Sequence, residues 1–282
     1  MPDNVVVADF SALYPGAEPI FKVTNVSKAY KRSRSIGGGV TKAVDDVSLN
    51  VFSGQRLGIV GESGSGKSSL VRLMLALQQP TSGDIEFYGK SIIGLKEKQL
   101  ADLRANVQMI FQDPRSSLNP RMKVARIITE PLRSPLLANR PDVPRASAER
   151  IFALMTRVGL DPDLADRYPH EFSGGQRQRI AITRSLASRP EVLIADEAVS
   201  ALDVSVRAQV LNLIVGRVKE HGLTLLFVSH DLSVVRHVCN TVIVMKNGRI
   251  VEAGPIEQVY QNPQDPYTQE LLAAVPKIKL RH

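Results

Sequence analysis

Between residues 20 and 60 apolar and polar positions alternate, as in Phe21, Val23 and Val26 and again in Val47, Leu49 and Val51, which predicts short antiparallel strands. The intervening stretch KRSRSIGGGVTK, residues 31–42, predicts a mobile loop. Leu57, Ile59 and Val60 form a short apolar run that reads as a buried strand and leads into a glycine-rich loop. Beyond that loop Leu70, Leu73, Met74 and Leu77 recur at helical spacing, so strand, loop and helix follow one another.

From about 113 to 172 the pattern changes to helical segments broken by prolines at 114, 120, 131, 135, 141, 144, 162 and 169, with DPRSSLNP as the opening loop. Strand character returns at Val192–Ala195, Leu223–Val228 and Thr241–Met245, with helical periodicity between. That alternation predicts a mainly parallel sheet whose sequence is split by a helical insertion. Asn247-Gly248 marks a hairpin, because a two-residue type I′ turn needs positive φ at both positions. A short helical tail is expected beyond Gly254, and no internal repeat or heptad array interrupts this single cassette.

A chain of 282 residues fits one elaborated domain, and its moderate apolar and charged fractions fit a soluble globular protein. The formal net charge of +8 comes from scattered Lys and Arg, which reads as ordinary solvated surface more readily than as a nucleic-acid or membrane-binding block. Cys239 is the only cysteine, so an intrachain disulfide and a paired-cysteine metal site are both excluded, and a reducing compartment is expected. The opening MPDNVVVADFSALYPG lacks the basic and apolar regions of a secretion signal, and no stretch approaches the ~20 apolar residues of a membrane span. Work at a membrane would therefore need other chains to cross it. Residues 1–19 resist interpretation, and so do residues 31–42, where Lys31, Arg32 and Arg34 precede three glycines and disorder is favoured over contact with lipid headgroups.

The loop GESGSGKSS carries the clearest chemistry. Gly61, Gly64 and Gly66 let the backbone curl so that successive N–H groups face phosphate oxygens at a helix N-terminus. Lys67 then reaches the β- and γ-phosphates, and Ser68 can ligate Mg²⁺. A glycine-rich turn without ligand is the bland alternative, and agreement with the whole pattern in a strand-loop-helix setting weighs against it.

Asp196 ends an apolar strand, where its carboxylate can hold Mg²⁺ through water, while Glu197 follows on the opposite face and can polarise an attacking water. A solvated acidic pair is the competing reading. Ser173-Gly174-Gly175-Gln176 opens a helical segment; read from the residues alone it is either a second phosphate-facing turn or a helix N-cap, and the two stay open.

In this order GESGSGKS, FSGGQRQR, LIADE and SALD resemble the Walker A loop, signature, Walker B strand and D-loop of the ATP-binding cassette family, over residues 20–255. The resemblance implies an α/β fold: a P-loop NTPase (RecA-like) core with an N-terminal antiparallel β subdomain and an inserted α-helical subdomain. It places that core at about 20–112 and 190–255, the helical subdomain at about 113–189 and a tail at 256–282. It implies ATP and Mg²⁺ as ligands, bound by Gly61, Ser63, Gly64, Ser65, Gly66, Lys67, Ser68 and Ser69 and by Asp196. Gln112 looks like the Q-loop glutamine that senses Mg²⁺, His230 in FVSHD like the switch histidine, and Tyr30 in SKAY like the adenine-stacking aromatic. Ser173, Gly174 and Gly175 are expected to cap ATP bound by a second cassette, and Gln176 and Asp203 of the D-loop are expected among the nucleotide-binding residues. Lys67, Glu197 and His230 are the expected catalytic groups. Phe172 stands where Leu is usual and Ala198 where Pro often follows, and neither change removes a reacting group.

A narrower resemblance lies in FQDPRSSLNPRMKVARIITEPL at 111–132, RYPHEFSGGQRQRIAI at 167–182 and NPQDPYTQELLAAVP at 262–276, which are similar to ATPase subunits of bacterial dipeptide, oligopeptide and nickel importers. It resembles the kind without a cysteine-rich, cluster-binding extension. Such a subunit is expected at the cytoplasmic face of the cell membrane with two permease subunits, a second ATPase of the same or a paralogous kind, and indirectly an extracytoplasmic substrate-binding protein. A soluble cassette acting on nucleic acid and a catalytically quiet partner are the rival readings. A single cassette without coiled-coil arms argues against the first, so no nucleic-acid partner is expected, and intact Glu197, His230 and SGGQ argue against the second.

Overall fold

A computed structural model describes residues 6–31, 39–113, 117–137, 143, 145–200 and 202–274. The chain forms two compact units, 1–95 together with 226–282, and 96–225. The fold is α/β, as expected.

The first unit begins with β1 (Val7–Ala8), β2 (Pro19–Lys31), β3 (Val40–Phe52), β4 (Arg56–Val60), α1 (Lys67–Met74), β5 (Ser82–Phe87) and β6 (Lys90–Ser91). Strands β1-β3-β2-β5-β6 lie side by side in that order. The alternating apolar positions decide the register of the antiparallel β2–β3 pair: Phe21 faces Val51, Val23 faces Leu49 and Val26 faces Val47, and all six are buried. The loop expected at 31–42 is shorter than its sequence suggested. Lys31 pairs with Val40, Tyr30 with Thr41 and Ala29 with Lys42, because the ladder runs on past the glycines; residues 32–38, including Arg32 and Arg34, lie outside the described residues. Leu77 also departs from expectation: α1 ends at Met74, Ala76 takes a φ of 50°, and Leu77 is exposed while Leu70, Leu73 and Met74 are buried.

The segment before β2 is a strap. Val7 and Ala8 run parallel to Ser48 and Leu49, Phe10 is buried, and the Tyr14 ring stacks on Phe52 at 5.1 Å between centroids.

The second unit holds α2 (Ala101–Asn106), β7 (Val107–Ile110), α3 (Val124–Thr129), α4 (Ala148–Arg157), α5 (Gly174–Ala187), β8 (Val192–Asp196) and α6 (Val204–His221). Its helices close on a core that includes Val124, Ile127, Ile128, Met155, Phe172 and Ile180. The prolines expected to break this region open turns: Pro131, Pro135, Pro162 and Pro169 each begin a short 3-10 helix, where a missing N–H costs nothing. Pro114, Pro141 and Pro144, with the first part of DPRSSLNP, lie outside the described residues. Strands β7 and β8 are parallel, from Val107 opposite Val192 to Ile110 opposite Ala195.

The chain returns to the first unit within β9 (Thr224–Ser229) and continues through α7 (Leu232–Val238), β10 (Thr241–Lys246), β11 (Arg249–Pro255), α8 (Ile256–Gln261) and α9 (Pro266–Ala273). β10 runs parallel to β4, from Thr241 opposite Leu57 to Val244 opposite Val60, and antiparallel to β11. The turn between β10 and β11 is the expected one, with φ of 50° at Asn247 and 82° at Gly248.

Candidate functional site

The apolar β4 delivers the chain into the glycine loop, and α1 opens immediately after Gly66. Gly66 has a φ of 107°, and a Cβ there would stand 2.2 Å from the Ala43 carbonyl oxygen. Gly61 has a φ of 154°, and its Cβ would meet the Met245 carbonyl oxygen, also at 2.2 Å. Glycine is required at both, by close backbone approach as well as by φ. A Cβ on Gly64 would meet nothing within 4 Å, so that part of the loop opens outward.

Lys67, only 4% exposed, donates through Nζ to the carbonyls of Gly61 and Glu62, both at 2.7 Å, and to Ser65 Oγ at 3.4 Å. The loop therefore wraps its own cation. Two other segments brace it. The Gly248 N–H donates to the Ser65 carbonyl at 2.9 Å, and the Gly248 carbonyl accepts from Asp45 N–H at 2.9 Å. On the other flank the Glu62 N–H donates to Tyr267 Oη at 2.9 Å. The half-buried Ser68 and Ser69 begin α1, with the loop's other groups ahead of them, and Ser63 is exposed.

In the second unit the β7–β8 register explains a contact between residues far apart in sequence. Because Ile110 lies opposite Ala195, the chains emerging two residues later are neighbours, and Gln112 Nε2 donates to Glu197 Oε2 at 2.9 Å. Asp196, the last residue of β8, is buried, whereas Glu197 turns out of the strand with a φ of 46°. Its carbonyl accepts from Ser200 N–H at 3.1 Å and from Ser200 Oγ at 3.0 Å, which fixes that turn. With Nε2 of Gln112 engaged on the carboxylate, its Oε1 is the atom suited to a cation. Among the described residues no group of three or more His, Cys, Asp or Glu is arranged to hold a metal by protein ligands alone. Single oxygen ligands suit a Mg²⁺ ion that is also bound to phosphate.

Ser173 is an N-cap. Its Oγ accepts from Gln176 N–H at 3.3 Å while Gln176 Oε1 accepts from Ser173 N–H at 2.9 Å, a reciprocal capping box at the start of α5. Gly175 is needed for packing, since a Cβ there would stand 2.5 Å from Val206 Cγ1 of α6, whereas a Cβ on Gly174 meets nothing within 4 Å. Asp203 caps α6, accepting from Val206 N–H at 2.9 Å and Ser205 Oγ at 2.8 Å. The Val206 N–H and then the Ser205 hydroxyl hold its carboxyl below the usual carboxylate range.

His230 is exposed just beyond the end of β9, and Asp231 caps α7 through Ser233 N–H at 2.9 Å. Tyr30 is 39% exposed near the end of β2, its Oη donating to Gln78 Oε1 at 2.5 Å. The residues that sequence reasoning missed are the braces. Tyr267 was legible only as part of the tail motif at 262–276, and Glu252 only as a position in the strand after the hairpin; the local signal for the tail was Asp265-Pro266, an N-cap followed by proline at the first helical position.

Residues 44–200 match the ABC transporter family profile. The chain is 50% identical over 237 residues to the oligopeptide transport ATP-binding protein OppF of Salmonella typhimurium, covering 83% of this chain and 70% of that one. It is 47% identical over 263 residues to the glutathione import ATP-binding protein GsiA of Pectobacterium atrosepticum, covering 92% of this chain and 42% of the longer relative. Among solved structures, the dimeric post-hydrolysis state of the ATP-binding cassette MJ0796 bound to ADP and Pi superposes with a TM-score of 0.72 at 28% identity, covering 84% of this chain and 98% of that one.

Proposed function

The chain belongs to the ABC transporter family of ATP-binding, ATP-hydrolysing proteins, and from that premise we propose that it powers a membrane importer for peptides or a related solute. The observation that carries the reading is the glycine loop closed around buried Lys67 at the head of α1, an arrangement that presents backbone N–H groups and one cation to a triphosphate. The similarity to OppF and GsiA supports peptides or glutathione-like compounds as the class of cargo, which other subunits select.

In the proposed reaction Lys67 meets the β- and γ-phosphates, where its charge stabilises the transferring group. Glu197, held by Gln112, orients and activates the attacking water, and His230 supports that step. Mg²⁺ held by Ser68, Gln112 and Asp196 would neutralise phosphate charge. Tyr30 stacks on adenine. Ser173, Gly174 and Gly175 cap the nucleotide held by a second ATPase subunit, a pairing that the dimeric cassette MJ0796 supports, and Gln176 and Asp203 contribute to nucleotide binding. Capping of that nucleotide favours a closed pair over an open one, and this difference in affinity drives the coupled permeases. The capping box suits this role, because it fixes the Ser173 and Gln176 side chains at an exposed helix start.

No helix among the described residues is long and apolar enough to cross a membrane. We place the protein peripherally at the cytoplasmic face, with two permeases and, indirectly, a substrate-binding protein. The cassette spans 20–255, with the helical subdomain at 113–189 and the tail at 256–282.

Mg²⁺-dependent hydrolysis by the purified chain against Glu197→Gln, with mass by light scattering, tests the reading. An ATP-held dimer of the variant with turnover lost is the expected result. Equal turnover by monomers of both forms would overturn it.

A further inference from the structure

The peptide joining Gly61 to Glu62 is gripped from both sides. Its carbonyl accepts from Lys67 Nζ at 2.7 Å, and its N–H donates to Tyr267 Oη at 2.9 Å. In a trans peptide these two groups point in opposite directions in one plane, so a partner on one fixes the direction of the other. Gly61, with a φ of 154° and no side chain, gives this plane little intrinsic preference. A hydrogen bond on the N–H side therefore favours the orientation in which the carbonyl faces the lysine.

The hydroxyl that makes this bond is itself firmly placed. Tyr267 is 4% exposed, and Lys246 Nζ sits over its ring, 4.4 Å from the centroid. The chain leading into it is clasped to β11: the buried Glu252 carboxylate accepts from Gln264 N–H at 2.9 Å and from Asp265 N–H at 3.1 Å. Asp265 then caps α9 by accepting from Tyr267 N–H at 2.8 Å. The next residue, Thr268, is fully buried. Burial raises the phenol's pKa, so Oη keeps its proton at any physiological pH and accepts through its lone pairs.

We infer that Tyr267 is a positioning residue of the phosphate loop: through the Gly61–Glu62 peptide it holds the carbonyl that seats Lys67, making the tail part of the nucleotide site. The inference rests on the loop being an ATP site, as proposed above. The rival role, a tail anchor only, needs the ring and Lys246 but not the bond to Glu62. Tyr267→Phe separates the two, since it keeps the ring and removes only Oη.

The test measures binding of a fluorescent ATP analogue, KM and kcat for ATP, and the thermal midpoint without nucleotide, for wild type, Tyr267→Phe and Lys67→Ala. With one net hydrogen bond lost, nucleotide affinity should weaken and KM rise by about fivefold, with kcat within about twofold. The thermal midpoint should stay within about 2 °C. Glu252→Ala, which releases the tail clasp, should weaken binding in the same direction and add little in the double variant with Tyr267→Phe. Unchanged affinity and KM in Tyr267→Phe, or a loss matched by a collapse in thermal midpoint, would overturn the inference. Failure of wild type to bind the analogue, or full binding by Lys67→Ala, would instead sink the nucleotide reading of the loop.

Discussion

Gln112 Nε2 donates to Glu197 Oε2 at 2.9 Å, joining the second residue after β7 to the first residue after β8. The bond is set by strand register and draws the Glu197 carboxylate toward one side of its turn. Glu197→Gln should lower kcat by roughly 10²–10⁴ with nucleotide affinity kept, the scale of a lost water-activating group. Gln112→Ala removes both the guide to that carboxylate and a proposed Mg²⁺ ligand, so it should lower kcat and raise the Mg²⁺ concentration needed for half-maximal rate. Steady-state ATPase rates beside equilibrium binding check both.

Ser173 does structural duty whatever else it touches. Ser173→Ala removes half of the capping box on α5 and should destabilise by about 1 kcal/mol, while Ser173→Gly should cost only a few tenths. Urea denaturation midpoints distinguish the two. An alanine variant as stable as wild type would show that the cap contributes nothing.

Gly175→Ala should destabilise by about 1–3 kcal/mol, since its Cβ would stand 2.5 Å from Val206 Cγ1. A glycine kept only for flexibility would show the opposite sign, because alanine favours helix. Adding Val206→Ala should recover much of the loss, and a double-mutant cycle in denaturant reads the coupling.

Asp45 links the loop's hairpin brace to pH. Lys42 Nζ and Arg249 Nε each donate to its carboxylate at 2.8 Å and hold its carboxyl below the usual range, the Lys42 bond counting most. A lowered folded pKa gives stability that is present above the unfolded value of about 3.9 and is lost as pH falls through the folded one. Asp45→Asn should therefore be less stable than wild type at pH 7, and the gap should hold down to about pH 4 and narrow below it. Thermal midpoints of both proteins across that interval test the sign.

Cys239 is buried, and burial pushes its thiol pKa upward. The thiolate is the reactive form, so a maleimide should leave the folded protein unlabelled at pH 7.5 and add one equivalent in guanidinium. Rapid labelling of the native protein would contradict the burial.

Much of this was legible from residue order. Alternation at Phe21, Val23 and Val26 pointed to an antiparallel strand, though a shorter one than the 13-residue β2, Asn247-Gly248 pointed to the hairpin and the glycine spacing to the loop, because each is a local rule with a short range. Ser173 forms the helix cap that was one of its two readings, a feature that needs only Gln176 three residues on, and the phosphate-facing role stands beside it as a proposal. The strap at Val7–Ala8 was not legible, because two residues pairing with Ser48 and Leu49 leave no periodicity. Leu77 misled because a helical spacing continues past a helix that ends in a turn at Ala76. Tyr267, Glu252 and the Gln112–Glu197 contact escaped for one reason: each depends on which distant segments the topology brings together.

The separation of 205 residues between Glu62 and Tyr267 also orders events in time. Synthesis runs from N- to C-terminus, and long-range closures come late in folding because their loop entropy must be met first. A nascent chain that has already formed β4, the glycine loop and α1 still leaves the Gly61–Glu62 peptide free to turn over. With Tyr267 positioning the loop as inferred, the loop takes its final geometry only after the tail has been made and docked, and a chain lacking that tail should hold nucleotide less tightly than the finished one.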